Sequence, residues 1–140
     1  MKEEFGQLMG DTARLWKMSL SERLKPLGLS YAKWSAMLLL SRHKDGIVQN
    51  ELAKFLSIEN STLARLLNTL EEDGWIERME HPTDKRAKIV HFTKNGQEKF
   101  EDSKIVLNNL RKEILSGVSD DMLRANIKAL KIIFKNLTNL

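Results

Sequence analysis

The sequence predicts a mainly α-helical fold with one small β-hairpin, and three observations carry that reading. Apolar residues recur at helical spacing through most of the chain, and two of the helices so defined stand only three residues apart. Directly after them, two short β-prone runs flank a polar, basic segment. A length of 140 residues suits a single domain with a modest core.

The first helix is expected near residues 5 to 25, where Leu8, Leu15, Leu20, Leu24 and Leu27 recur with Trp16 among them, until Pro26 and Gly28 end it. Ser30 is placed to cap a second helix through Trp34, Met37, Leu38 and Leu40 to about His43, broken by Lys44-Asp45-Gly46. A short helix from Gln49 to Leu56, a tight connection at Ser57-Ile58-Glu59 and a longer helix from Asn60 to Asp73, stopped by Gly74, come next. The β-prone runs are Trp75 to Glu80 and Lys88 to Thr93, a hairpin with an extended tip around Pro82, Thr83 and Asp84. Thr93 can cap the following helix, and the last one starts after Gly117 and Ser119. Its Leu123, Ile127, Leu130, Phe134 and Leu137 step by four and three, an apolar seam at coiled-coil spacing.

Composition narrows the function classes. Hydrophobic residues at 41% and charged residues at 30% leave neither a disordered nor a fibrous chain. The absence of cysteine removes disulfides, thiolate metal sites and a cysteine nucleophile, and it fits a reducing cytoplasm. Acidic residues near the N-terminus do not suit a signal peptide, and the longest apolar run, Ala36 to Leu40, is too short to span a bilayer. A cytoplasmic protein without membrane contact is expected. The formal net charge of +4 suits an anionic partner only weakly. Its placement says more, because Lys85, Arg86, Lys88 and Lys94 face only Asp84 within one short stretch.

In the helix from Asn60 to Asp73, Leu63, Leu66, Leu67 and Leu70 fall at i, i+3, i+4 and i+7 and define a buried stripe. At 100° per residue, Ser61, Arg65 and Asn68 then point outward, with Thr62 and Thr69 on the flank. Taken alone, such a face is usually ordinary solvated surface. Context alters that. The short preceding helix turns Leu52, Ala53 and Leu56 inward, and the three-residue turn completes a helix-turn-helix pattern. The adjoining hairpin tip offers Asp84, Lys85, Arg86 and Lys88 beside it. Short hydrogen-bonding side chains and an arginine suit a major groove, and a basic tip suits the backbone or minor groove. The fold expected is a winged helix-turn-helix, its partner double-stranded DNA.

These residues resemble the MarR regulators and, within them, the SlyA-like group. The resemblance rests on Ala13-Arg14-Leu15-Trp16, Arg23-Leu24-Lys25-Pro26-Leu27, Glu51-Leu52-Ala53, Leu70-Glu71-Glu72-Asp73-Gly74, Asp84-Lys85-Arg86-Ala87-Lys88 and Phe92-Thr93. The wing stretch is its specific part, and Phe92 stands where many relatives carry leucine. The resemblance implies a homodimer whose first and last two helices intertwine. Dimerisation helices would lie at about 1–27 and 94–140, around a winged helix-turn-helix at about 30–93. It further implies Arg65 in the major groove and Arg86 in the minor groove. Relatives commonly bind small aromatic acids, so an effector site is expected, with Arg14 or Lys17 on the carboxylate and Trp16 or Trp34 over the ring. Aromatics at helical spacing are nonetheless usually core.

Other constellations carry less. His43, His81 and His91 lack i, i+4 pairing, so no metal site is expected. No Gly-x-Ser-x-Gly elbow or phosphate loop occurs, and Glu71, Glu72 and Asp73 read as a solvated helix end. No cofactor and no enzyme activity are expected. The alternative function is a winged-helix protein-interaction adaptor without sequence-specific DNA binding, which has no need for paired cations at Arg65 and Arg86.

Overall fold

The computed structural model describes all 140 residues. It contains six α-helices and a three-stranded antiparallel sheet, and divides into two compact units, Met1–Asn108 and Asn109–Leu140. Helix α1 spans Lys2–Leu24 and starts earlier than the apolar pattern, with Glu3 and Glu4 in its first turn, where the helix dipole favours acids. Only its C-terminal end is buried, at Leu20 and Leu24, while Leu8 and Leu15 are exposed, so the expected leucine stripe is covered at one end only. A 3₁₀ turn at Lys25–Leu27, with Pro26 in its first positions, closes on Gly28 at φ 75°. There the backbone lies against the Trp75 ring, and a left-handed conformation next to a close approach is what glycine permits.

Helix α2 (Tyr31–Ser41) is capped as expected, the Ser30 hydroxyl oxygen accepting from the Lys33 amide at 3.2 Å. It stops two residues before His43, whose ring Nδ1 lies 2.8 Å from the Leu39 carbonyl, a helix-end acceptor that also takes the Arg42 amide at 3.1 Å. Trp34, Ala36, Met37 and Leu40 are buried. After the turn, Ile47–Val48 form strand β1, an element the sequence reading did not foresee. Two residues are too few to show alternation; what makes them a strand is a partner, through Ile47↔Val90 and Val48↔Ile89. The expected hairpin, β2 (Ile76–Glu80) and β3 (Lys88–Phe92), is thus part of a sheet in the order β1-β3-β2.

Between β1 and β2 come α3 (Gln49–Leu56) and α4 (Asn60–Glu72), with the turn where the spacing put it. Ser57 at its start adopts φ 55°, a left-handed conformation that is uncommon for a residue with a side chain. It lets the Ile58 amide reach back to the Ala53 carbonyl at 3.1 Å and ends α3 within one residue. Leu52 and Ala53 are buried, whereas Leu56 is half-buried.

Helix α5 spans Lys94–Ile114, and its start is stitched to the end of α4 through one residue. The Thr93 hydroxyl donates to the Gly74 carbonyl at 2.6 Å and accepts from the Gly96 amide at 3.0 Å. Gly96 is required here, because a Cβ would run into the Trp75 carbonyl. Phe100, Ser103 and Leu107 are buried on this helix. Helix α6 (Asp120–Thr138) is capped by the Ser119 hydroxyl, which accepts from the Met122 amide at 3.2 Å. Its seam residues Ile127, Leu130, Phe134 and Leu137 are exposed, Phe134 by 70%, and Leu123 is half-buried. No helix is long and apolar enough to cross a membrane.

Removing the Thr93 hydroxyl leaves both the Gly74 carbonyl and the Gly96 amide without this partner. Thr93→Val is expected to lower unfolding free energy by about 1–3 kcal/mol, read from the midpoint of urea denaturation at unchanged slope.

Candidate nucleic-acid interface

Helix α4 buries Leu63, Leu67 and Leu70 completely. Leu66 is only half-buried, so the stripe is narrower than the expected four leucines and leaves more of the helix circumference to solvent. Ser61, Thr62, Arg65 and Asn68 are exposed, in the outward sector that the leucine spacing defined. Glu59 precedes the helix in extended conformation with no side-chain cap, so the first-turn amides are not occupied by a capping side chain. An uncapped helix start with serine and threonine in its first turn suits a phosphate oxygen. Arg65 is exposed, and no carboxylate pairs with it. Thr69 is half-buried, and its hydroxyl donates to the Arg65 carbonyl at 3.2 Å, which commits that proton to the helix itself.

The wing tip is built by hydrogen bonds rather than packing. His81 Nδ1 accepts from the Thr83 and Asp84 amides, both at 3.2 Å. The Asp84 carboxylate accepts from the Arg86 amide at 3.0 Å and lies 3.6 Å from its guanidinium. Asp84 thereby shapes the loop that presents Arg86, whose side chain is 95% exposed. Lys85 is exposed at the same tip, while Lys88 is in the ladder pair next to the tip, 3.9 Å from Glu80, its cross-strand neighbour.

Comparison with known proteins agrees with this geometry. Residues 29–88 match the MarR family. The transcriptional regulator PA3341 is 36% identical, over 97% of this chain and 99% of that one, with a TM-score of 0.85. This chain belongs to the MarR family. A cysteine-to-serine mutant of MarR from E. coli, solved in complex with operator DNA, is 27% identical over 93% of each chain, with a TM-score of 0.85. A MarR transcriptional regulator from Methanosarcina mazei Go1 is 25% identical over 98% of each chain, with a TM-score of 0.87. The chain therefore has the winged-helix, DNA-binding fold of the MarR transcriptional regulators.

In this MarR-family chain helix α4 and the wing are joined by a residue that sequence reasoning passed over. Arg78 of β2 donates from Nη2 to the Asn68 Oδ1 at 2.6 Å and to the Glu71 Oε1 at 3.0 Å, and from Nε to the Glu71 Oε2 at 3.3 Å. The two-point contact with Glu71 matches the fork of a guanidinium to a carboxylate. Asn68 retains its amide N–H donors, but its oxygen is engaged. The acidic end of α4 is accordingly not merely solvated: Glu71 holds Arg78, and Asp73 lies 3.6 Å from Lys33 of α2. The available signal was strand alternation, which puts Arg78 on the same face as buried Ile76.

The four residues considered for an effector are placed as follows. Arg14 is exposed and tied to Asp11 of its own helix at 3.2 Å. Lys17 lies 5.7 Å from the centre of the Tyr31 ring, whose centroid is 6.1 Å from that of the buried Trp34. Trp16 is half-buried. Lys17 and Trp34 thus share Tyr31 as a neighbour, and Arg14 is engaged locally. No group of three or more His, Asp and Glu side chains is arranged to hold a metal ion.

The Arg78 guanidinium holds the Glu71 carboxyl below the usual carboxylate range, chiefly through their hydrogen bonds. A carboxyl whose folded-state value is depressed stabilises the fold above its unfolded value, and that contribution fades as pH falls through the folded value. Glu71→Gln should therefore be less stable than the wild type at pH 7, by about 0.2–1 kcal/mol for so exposed a pair. The difference, followed by urea denaturation against pH, should vanish in acid below the ordinary carboxylate range; a pH-independent difference would contradict the ion pair.

Proposed function

We propose that this chain is a homodimeric transcription regulator of the SlyA type, acting in the cytoplasm on pseudo-palindromic duplex DNA. Helix α4 enters the major groove, with Ser61, Thr62, Arg65, Asn68 and Thr69 on phosphates and base edges. The wing enters the minor groove through Arg86, with Lys85 and Lys88 on the backbone and Asp84 shaping the tip. The observation that carries this reading is the presentation of Arg65 and Arg86 by two elements bolted together through Arg78. The complex of E. coli MarR with operator DNA supports it by likeness. An interaction adaptor gains nothing from two exposed guanidinium groups held in this way.

Helices at about 1–27 and 94–140 are assigned to dimerisation, around a reading domain at about 30–93. The support is apolar surface that stays in water: Phe5, Leu8, Leu15 and Met18 on α1, and Ile127, Leu130, Phe134 and Leu137 on α6. A second copy of the chain is the partner that covers them. A small aromatic carboxylate is the effector class, for which Lys17, Tyr31 and Trp34 offer a cation beside two rings.

Two outcomes test this. Arg65→Ala should cost about 1–3 kcal/mol of specific binding and relax preference at one position per half-site, the half-sites lying roughly 10 bp apart. Arg86→Ala should remove a preference for narrow A·T-rich flanks. Site selection from random duplex DNA reads both, and equal losses on specific and random DNA would count against groove reading. Leu130→Asp should break the dimer, because a carboxylate in the covered seam has no partner and costs several kcal/mol. Sedimentation showing a folded wild-type monomer at micromolar concentration would disprove the dimer.

A further inference from the structure

Asn68 is exposed on the outward sector of α4, yet the two ends of its side-chain amide are not equally available. A primary amide has an acceptor oxygen and a donor nitrogen, and a free asparagine can offer both to a base. Here a neighbour decides which end is offered. A guanidinium carries N–H donors and no acceptor, so the end of Asn68 that meets Arg78 at 2.6 Å has to be Oδ1. Nδ2, with its two hydrogens, is the part of the amide that this contact leaves available.

The arginine is itself held firmly. Arg78 lies opposite Val90 in the sheet, on the strand face of buried Ile76, and its side chain is 21% exposed. Nη2 has two hydrogens and two acceptors for them, Asn68 and Glu71, while Nε takes the second Glu71 oxygen at 3.3 Å. Turning the Asn68 amide over would set its N–H donors against the donors of a cation, and the 2.6 Å bond would be lost. The amide therefore keeps one orientation.

Around the helix Asn68 stands about 20° from Ser61 and about 60° from Arg65, and roughly 4.5 Å beyond Arg65 along the axis. That rise is comparable with the ~3.4 Å step between base pairs, so on a helix lying in the major groove the two side chains address neighbouring pairs. Adenine shows an acceptor, N7, beside a donor, N6, the pattern that a free asparagine matches with both ends. Guanine shows two acceptors, N7 and O6. The remaining lone pair of Oδ1 lies beside the guanidinium, so an adenine N6–H approaching it would meet a cation. An amide restricted to donating matches guanine.

We propose that Arg78 sets the base preference of Asn68: held by its oxygen, Asn68 donates to N7 and O6 of a guanine next to the pair read by Arg65, and disfavours adenine there. The proposal rests on the DNA-binding reading of α4. Arg78 acts in it as a positioning residue, through Asn68.

The test is site selection from random duplex DNA, followed by affinity measurements on the selected duplex and its single-pair replacements. The wild-type protein should select guanine at a pair adjoining the one whose preference Arg65→Ala relaxes, and adenine in its place should bind about tenfold more weakly. Asn68→Ala should flatten preference at that pair alone. Arg78→Met keeps an unbranched stem without donors; it frees the amide, and preference at that pair should move from guanine to adenine while the other positions keep theirs. Loss of a merely structural brace would weaken binding throughout and would not exchange one base for another. Asn68→Asp is the second arm should Arg78→Met fail to fold by circular dichroism. Its exposed carboxylate keeps the Arg78 contact, offers acceptors only, and should turn the preference from guanine to cytosine or adenine, which present donors. Selection of adenine by the wild type, or an unchanged base in folded Arg78→Met or in Asn68→Asp, would overturn the proposal and leave the reading by Arg65 standing. If the wild-type protein selects no duplex, the DNA-binding reading falls and this proposal with it.

Discussion

Burial of Leu63, Leu67 and Leu70, on a helix that packs against α2, α3 and β2, is the constraint on which the helix-turn-helix and its wing depend. Each of these side chains loses all contact with water, worth about 1.5–3 kcal/mol apiece in transfer terms. Rolling α4 by one residue would turn about 100° of helix and exchange leucine for polar side chains in the core. The helix therefore has one rotational setting, and the outward direction of Ser61, Arg65 and Asn68 follows from it. A surface made of exposed, weakly held side chains gains its precise setting from an apolar face on the opposite side.

Packing alone does not orient the wing. Of its two strands, β2, which carries the buried Ile76, packs on α4, and its tip is held by turn hydrogen bonds around His81 and Asp84. Arg78 supplies the missing restraint by joining the strand to both Asn68 and Glu71, a fork that fixes distance and plane together. Thr93 does the same at the other end of β3, tying Gly74 to the first turn of α5. These polar ties are individually modest in water. Their value lies in the geometry they select, because the apolar contacts beneath them tolerate small shifts and directed hydrogen bonds do not.

The same chain keeps a large apolar surface in water. Phe134 is 70% exposed in a seam with coiled-coil spacing. Burying a seam of this kind is the driving force for helix association.

Much of this was legible in the one-dimensional pattern. Helix spacing, the caps at Ser30, Thr93 and Ser119, the breaks at Gly28 and Gly74, and the turn at Ser57-Ile58-Glu59 are local properties. A cap or a turn is formed by residues within a few positions of each other, so order along the chain is enough to reveal it. The outward face of α4 was legible for the same reason, since periodicity assigns both faces at once. Tertiary structure decided what depends on a distant partner. Ile47–Val48 became a strand only because Val90 and Ile89 stand opposite. Leu66 and Leu56 stayed half-buried, which their helical spacing did not show. Glu71 became a ligand for Arg78 instead of a solvated acid, and the Thr69 hydroxyl turned back to its own helix. Composition and periodicity determined which segments fold and which faces they bury, because those are short-range preferences; which polar groups meet across the fold was decided by the three-dimensional path of the chain, which brings together residues that the sequence holds far apart.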